Sequence, residues 1–343
     1  MVLDGFFELF KILAAVTSVG DCKMPPHGKT PPAVYLPILV PEKAMRKGIW
    51  FAFTAYVIWG LFPVYWKWLR QVPAVQLLGH RIVWSFVFLI MAVGLTRQWR
   101  TLPSAISRPR VLLIYGVAAI LIGINWLTYL FAVNSGYVVE ASLGYFINPL
   151  LSVLLGVVVL REHLRPLQWA TIGLAAIGVV YVSLAYGAVP WIAVTLALSF
   201  GVYGLVKKTA PLGSLNGMTL ETGLMFLPAA SYLLFAEASH QGAFLHTSAT
   251  TTLLLIGGGL VTTTPLLLFS SAVQRIPLAL VGVLQYINPT LQFLLGTLVY
   301  HEPFSLAQFI GFTIVWVALI LFGVEGLVAW RSQQAAPMVT DAF

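Results

Sequence analysis

Ten apolar stretches, each long enough to cross a bilayer, recur along this sequence with only short loops between them. A helical span needs about 20 residues at 1.5 Å rise each. Segments of that kind are expected at about 48–69, 77–97, 110–131, 137–160, 166–184, 188–206, 218–237, 250–272, 278–300 and 304–328. Composition agrees, with 59% of residues hydrophobic and 9% charged, against roughly 25% charged in a soluble domain. A chain with so little polar surface must take lipid as its solvent. The expected fold class is all-α transmembrane, a ten-helix bundle.

The net charge of +8 raises the question of a nucleic-acid partner, but Lys and Arg are scattered singly between apolar runs. They read instead as topology signals, and no nucleic acid is expected. With the N-terminus inside, the inner loops carry Arg97, Arg100, Arg108, Arg110, Arg161, Arg165, Lys207, Lys208 and Arg275. Lys43, Arg46, Lys47 and Arg331 at the ends add to them, against only Lys67 and Arg70 outside. This asymmetry predicts both termini on the cytoplasmic side and an even number of spans. The one cysteine, Cys22, excludes an intramolecular disulfide.

Residues 1–44 differ from the rest. Their short apolar run from Phe6 to Val19 lacks a basic start, and prolines from Pro25 to Pro41 follow it. Each proline removes a backbone donor that a helix in lipid needs. This segment reads as a disordered extension or as sequence upstream of a start at Met45, whose Arg46 and Lys47 lead directly into an apolar helix.

Self-comparison organises the remainder. Ile147-Asn148-Pro149-Leu150-Leu151 returns 140 positions later as Ile287-Asn288-Pro289-Thr290-Leu291. In the same register Glu162 matches Glu302 and Gln168 matches Gln308. At a slightly different offset, Trp59-Gly60-Leu61 is echoed by Tyr203-Gly204-Leu205. Spans one to five thus repeat as six to ten, and because five is odd the second copy enters the membrane inverted. The expected units are 45–187 and 188–331, with 332–343 a cytoplasmic tail. Inverted repeats are an architecture of secondary transporters, although duplication alone carries no functional symmetry.

Polar residues within spans are costly and so invite a functional reading. Asn148 lies about 16 Å into the fourth span at 1.5 Å per residue, near the midplane, and Asn288 matches it on the ninth. Each precedes a proline, which frees carbonyls and predicts two symmetry-related kinks. Both asparagines are candidate solute ligands, or alternatively cap their own kinks. Asn125 and Tyr129 share one face of the third span. Gln285 and Tyr286 point to different faces of the ninth, so at most one faces the centre. Trp59, Tyr145 and Tyr203 are candidate cavity aromatics. Arg81 and Glu140 are expected to pair in the outer half as a structural link or a gate, with His80 beside them. Glu221 reads as reaching the inner headgroups. Thr262-Thr263-Thr264 is expected to satisfy carbonyls freed by Pro265, or alternatively to line the cavity. Gly257-Gly258-Gly259 reads as a close helix contact, not a phosphate loop. No metal-ligand spacing occurs among the histidines, and no metal or cofactor is expected.

From about Met45 to Arg331 the chain resembles the RarD branch of the EamA group, within the drug/metabolite transporter superfamily. The strings that carry the resemblance are His80-Arg81-Ile82-Val83-Trp84-Ser85, Asn125-Trp126 with Ala132-Val133-Asn134, and the run Glu140 to Pro149. Tyr203 to Val206, Val261-Thr262-Thr263 with Pro265-Leu266, and Gln285-Tyr286-Ile287 with Pro289-Thr290 extend it into the second half. The resemblance implies a ten-helix inner-membrane transporter with a central cavity near helices three, four, eight and nine.

The leading expectation is therefore an alternating-access exporter or facilitator of small amphipathic metabolites or drug-like solutes, not an enzyme. Its partners would be a small-molecule substrate and the lipid bilayer. No nucleotide-binding domain is evident, so ATP would not drive it directly. Proton coupling through Glu140 and uniport both stay open. The alternatives are an intramembrane enzyme on a lipid-linked substrate, for which no nucleophile stands out, and an assembly or sensor subunit. Gly156 and Gly296 permit close helix contacts within one chain or between two in a homodimer.

Overall fold

The computed structural model describes residues 42–135, 137–186, 190–301 and 305–335. Most of segment 1–44, the cysteine at 22, Glu302 and the tail from 336 lie outside these residues. Every regular element among them is helical.

Among the described residues ten long helices follow the hydropathy pattern, nine of them long and apolar enough to cross a membrane. They are α1 Glu42–Lys67, interrupted at Leu61; α2 Ala74–Leu95; α3 Pro109–Asn134; α4 Val138–Val158; and α5 Pro166–Tyr186. The second half comprises α6 Trp191–Thr209; α7 Ser214–Ala238; α8 Ala249–Val273; α9 Leu278–Val299; and α10 Leu306–Ala335. A short helix, Thr101–Ile106, lies between α2 and α3. The starts follow simple stereochemistry. Proline precedes or opens α2, α3, α5, α6 and α9, where its missing N–H removes a donor that would otherwise lack a partner.

The surface is inverted relative to a soluble protein. Leu95, Leu184, Leu227 and Leu234 are each at least 70% exposed, whereas Asn148, Glu140, Lys207 and Glu221 are each no more than 4% exposed. Apolar area of that extent would be driven together in water, and facing lipid it costs nothing. The protein is a multi-pass membrane protein.

Helix packing carries the repeat. α4 packs on both α6 and α9, and α1 packs on α9 and α8 as α6 packs on α4 and α3. α2 packs on α7 and on α8, and α7 also on α3. Adding five to each label, with ten as the period, returns the same set of neighbours, which is the signature of a pseudo-two-fold axis. α4 meets α9 on that axis, and α5 meets α10 at the periphery. Close approach on the axis depends on Gly282, where a Cβ would lie 2.6 Å from the Pro149 carbonyl oxygen and 3.0 Å from Ser152 Cβ. The glycine run of α8 is likewise a helix contact, as expected, since Ser85 of α2 donates to the Gly259 carbonyl at 3.0 Å.

The two asparagine-proline motifs sit in different backbone settings. α4 stays helical through Pro149, whereas α9 breaks at Tyr286, between Leu278–Gln285 and Ile287–Leu294, and ends in a π turn over Leu295–Val299. A membrane helix tolerates proline when neighbours satisfy the freed backbone, so the motif permits a break without forcing one.

Candidate functional site

A cavity of about 190 Å³ lies on the pseudo-two-fold axis, lined by α1, α2, α3, α4, α6, α8 and α9. It occupies one half of the bundle. Its residues fall in the later part of α1 and α3 and the earlier part of α2, α4 and α6, which is the side distant from the start of α1. This distal half holds the cavity, and the half nearer the termini is packed by a buried core that includes Tyr203, Val206, Met218, Phe269 and Val273.

The structure brings together most of the expected residues. Asn148, Asn288, Asn125, Tyr129, Tyr145, Gln285, Trp59 and Arg81 all line the cavity. Asn125 Nδ2 donates to the Leu196 carbonyl at 2.9 Å and to Ser199 Oγ at 3.0 Å, tying α3 to α6. Tyr129 and Tyr145 meet edge to face at 6.2 Å. The Asn288 side-chain oxygen accepts from Gln292 Nε2 at 2.9 Å, while that of Asn148 has no partner among the described residues. Gln285 Oε1 and the Tyr56 hydroxyl are also buried without one. Gln285 faces the cavity and Tyr286 does not; its hydroxyl donates to the Phe146 carbonyl at 3.3 Å.

Three expectations are corrected. Arg81 and Glu140 do not pair. Arg81 Nε donates to Thr262 Oγ1 at 3.0 Å, and its guanidinium lies 4.9 Å from the Trp66 ring and 5.0 Å from the Trp126 ring. Glu140 instead accepts the backbone N–H of Ile192 at 2.7 Å, in the first turn of α6, where the helix dipole favours a carboxylate. His80 is outside the cavity and stacks on Phe244 at 5.2 Å. Tyr203 is fully buried, parallel to Phe269 at 6.0 Å, and is not part of the cavity wall.

The cavity also includes residues that were not among the candidate ligands. Trp66, Trp126 and Phe200 supply cavity walls, and Gln292 reaches in from α9. Thr262 is a wall residue and an Arg81 acceptor, while Thr264 alone bonds back to the Leu260 carbonyl in the expected manner. Below the cavity, Phe269 touches the rings of Tyr56, Trp59, Phe200 and Tyr203 at 5.1–6.3 Å, forming an aromatic floor. Beneath it, Lys207 Nζ and Glu221 Oε2 are 2.8 Å apart with both side chains 1% exposed. Glu221 therefore does not reach the headgroups. α6 runs on to Thr209, which draws Lys207 inside while Lys208 caps the Val273 and Ile276 carbonyls at the end of α8.

No group of three His, Cys, Asp or Glu able to hold a metal occurs among the described residues. The cavity can present one cation, amide oxygens and aromatic walls to a small solute.

Comparison with known proteins bears on what that solute site is. Residues 46–184 and 189–324 each match the EamA-like transporter family. The chain is 46% identical to the uncharacterized transporter YojE of Bacillus subtilis (strain 168), over 81% of this chain and 93% of that one. It is 42% identical to the protein RarD of Streptomyces exfoliatus, over 86% and 93% respectively. A solved crystal structure with 20% identity superposes with a TM-score of 0.61, covering 83% of this chain and 98% of its own, a likeness that concerns the fold alone.

Proposed function

Because the chain belongs to the EamA-like transporter family, we propose that it is a secondary transporter that carries small amphipathic solutes across the inner membrane by alternating access. The observation that carries this reading is the cavity on the repeat axis, present in one half of the bundle, with packed core in the other. Two inverted copies that hold different shapes exchange those shapes when the protein turns over, moving the opening from one side to the other. With both termini cytoplasmic, as the loop cations favour, the distal cavity faces outward.

In this reading Asn148, Asn288, Asn125 and Gln285 bind polar groups of the solute, and Trp59, Tyr129 and Tyr145 its apolar part. The volume of about 190 Å³ is below the roughly 300–1,000 Å³ of pockets for drug-sized ligands, which favours a metabolite-sized cargo. The floor and the Lys207–Glu221 pair form the inner seal. No nucleophile with a base lines the cavity, and the enzyme reading gains no support from its walls.

A ligand screen by thermal shift on the purified protein tests this, with Asn148→Ala and Asn288→Ala alongside. The proposal expects a metabolite-sized solute to stabilise the wild type and neither variant. Stabilisation that survives in both variants would remove the midplane asparagines from the site.

A further inference from the structure

The cargo's charge is legible from a census of acids. Six carboxylate residues lie among the described ones. Glu140 holds the start of α6. Glu162 accepts from the backbone N–H groups of Leu278 and Ala279. Glu221 pairs with Lys207, Glu237 with His246 and Glu325 with Arg165. Glu42 is exposed at the first residue of α1. None of the six lines the cavity, and none forms an ion pair with Arg81 among the described residues.

Arg81 is therefore a permanent cation in the membrane interior without a counter-charge among the described residues. Its one hydrogen bond to a described residue runs from Nε to a neutral hydroxyl, leaving the terminal NH groups of the fork uncommitted. The rings of Trp66 and Trp126, at 4.9 and 5.0 Å from the guanidinium carbon, stabilise the cation by their quadrupoles but supply no negative charge. A guanidinium so placed is costly unless a charge comes to it, and its planar fork matches a carboxylate. Nearby, Asn148 Oδ1 and Gln285 Oε1 are buried acceptors in need of N–H or O–H donors.

We propose that the cavity takes a small organic monoanion, its carboxylate held by Arg81 beside Trp66 and Trp126 and its hydroxyl or N–H groups donating to Asn148 and Gln285. This rests on the reading of the cavity as the transport site. A single carboxylate neutralises the single guanidinium. A phosphate monoester brings a second charge that no residue of the cavity balances.

The test uses 2-hydroxy acids of increasing size (lactate, mandelate and phenyllactate) against their own amides, with phenyl phosphate as the doubly charged comparator. Thermal shift and tryptophan fluorescence are read on the full chain in detergent. At least one acid is expected to bind with an apparent affinity about tenfold or more above its amide, because charge-assisted hydrogen bonds exceed neutral ones. Arg81→Gln removes that preference, and Arg81→Lys restores part of it, as a charge without the fork. Equal binding of acids and amides, no response to any acid, a preference for phenyl phosphate, or discrimination that persists in Arg81→Gln overturns the assignment. If Arg81→Gln does not fold, the ligand series on the wild type decides alone. Binding of the amides as well as the acids leaves the transport reading standing. Failure of the transport reading shows separately, as an inner seal that never opens.

Discussion

Two cations lie inside this bundle on either side of one aromatic floor, and the chain treats them differently. Lys207, below Phe269, has its carboxylate supplied in the chain by Glu221 at 2.8 Å, and both side chains are almost wholly buried. Arg81, in the cavity above, meets a threonine hydroxyl and two indole rings. The first arrangement has its counter-charge within the chain, with Glu221 Oε2 on Lys207 and Oε1 left without a hydrogen-bond partner among the described residues, and it belongs to the proposed seal. The second is complete only when something negative arrives. The contrast separates the part of the structure that must hold from the part that must exchange.

The largest expected effect comes from breaking the internally paired cation. Glu221→Gln leaves Lys207 buried and unpaired, and thermal unfolding in detergent should show a loss of about 3–5 kcal/mol. Replacing both, as Lys207→Met with Glu221→Leu, should recover most of it, because two apolar side chains need no counter-charge. Phe269→Ala opens the floor between the two cations and should cost about 3–5 kcal/mol as a large buried ring is lost. It should also allow solute to leak through reconstituted vesicles. Arg81→Gln goes the other way, with stability to unfolding unchanged or raised because an uncompensated cation is removed, but acid binding reduced about tenfold or more. If Arg81→Gln proves as destabilising as Glu221→Gln, the two cations are of one kind and the comparison fails.

The smallest effect on binding tests the asymmetry within the site. Four residues after Asn288 stands Gln292, whose amide occupies the Asn288 oxygen, whereas four after Asn148 stands Ser152. Ser152→Gln should tie up Asn148 in the same way and weaken solute binding about threefold to tenfold, roughly the worth of one hydrogen bond, at a cost of about 1–3 kcal/mol in unfolding because Ser152 is buried against Gly282.

Much of this was written in the sequence. Hydropathy and loop charge mark the spans, because the bilayer imposes one length on every helix. The Ile-Asn-Pro repeat locates the α4–α9 axis and so the cavity. Inversion explains one miss. Trp59 and Tyr203 are matched by their local sequence, but α1 and α6 run in opposite directions past an off-centre cavity. One turn onward moves Trp59 into the walls and Tyr203 into the floor. The Arg81–Glu140 pairing failed because charge complementarity ignores the backbone, and the first N–H groups of α6 compete for the carboxylate. Lys207 reads as an inner-loop cation because hydropathy ends the span at 206, but the helix continues to Thr209 and pairs it with Glu221 inside.

The central claim is that the seal and the cavity exchange. It is tested most directly by labelling with a membrane-impermeant thiol reagent applied to either face of vesicles, in a Cys22→Ser background. Leu196→Cys reports on the cavity wall, and Ser270→Cys, fully buried on α8, on the sealed half. The account predicts Leu196→Cys labelled from the outer face only and Ser270→Cys from the cytoplasmic face only, each in the fraction of molecules open to that side. Both positions labelled from one face, or Ser270→Cys never labelled while solute crosses, would contradict it.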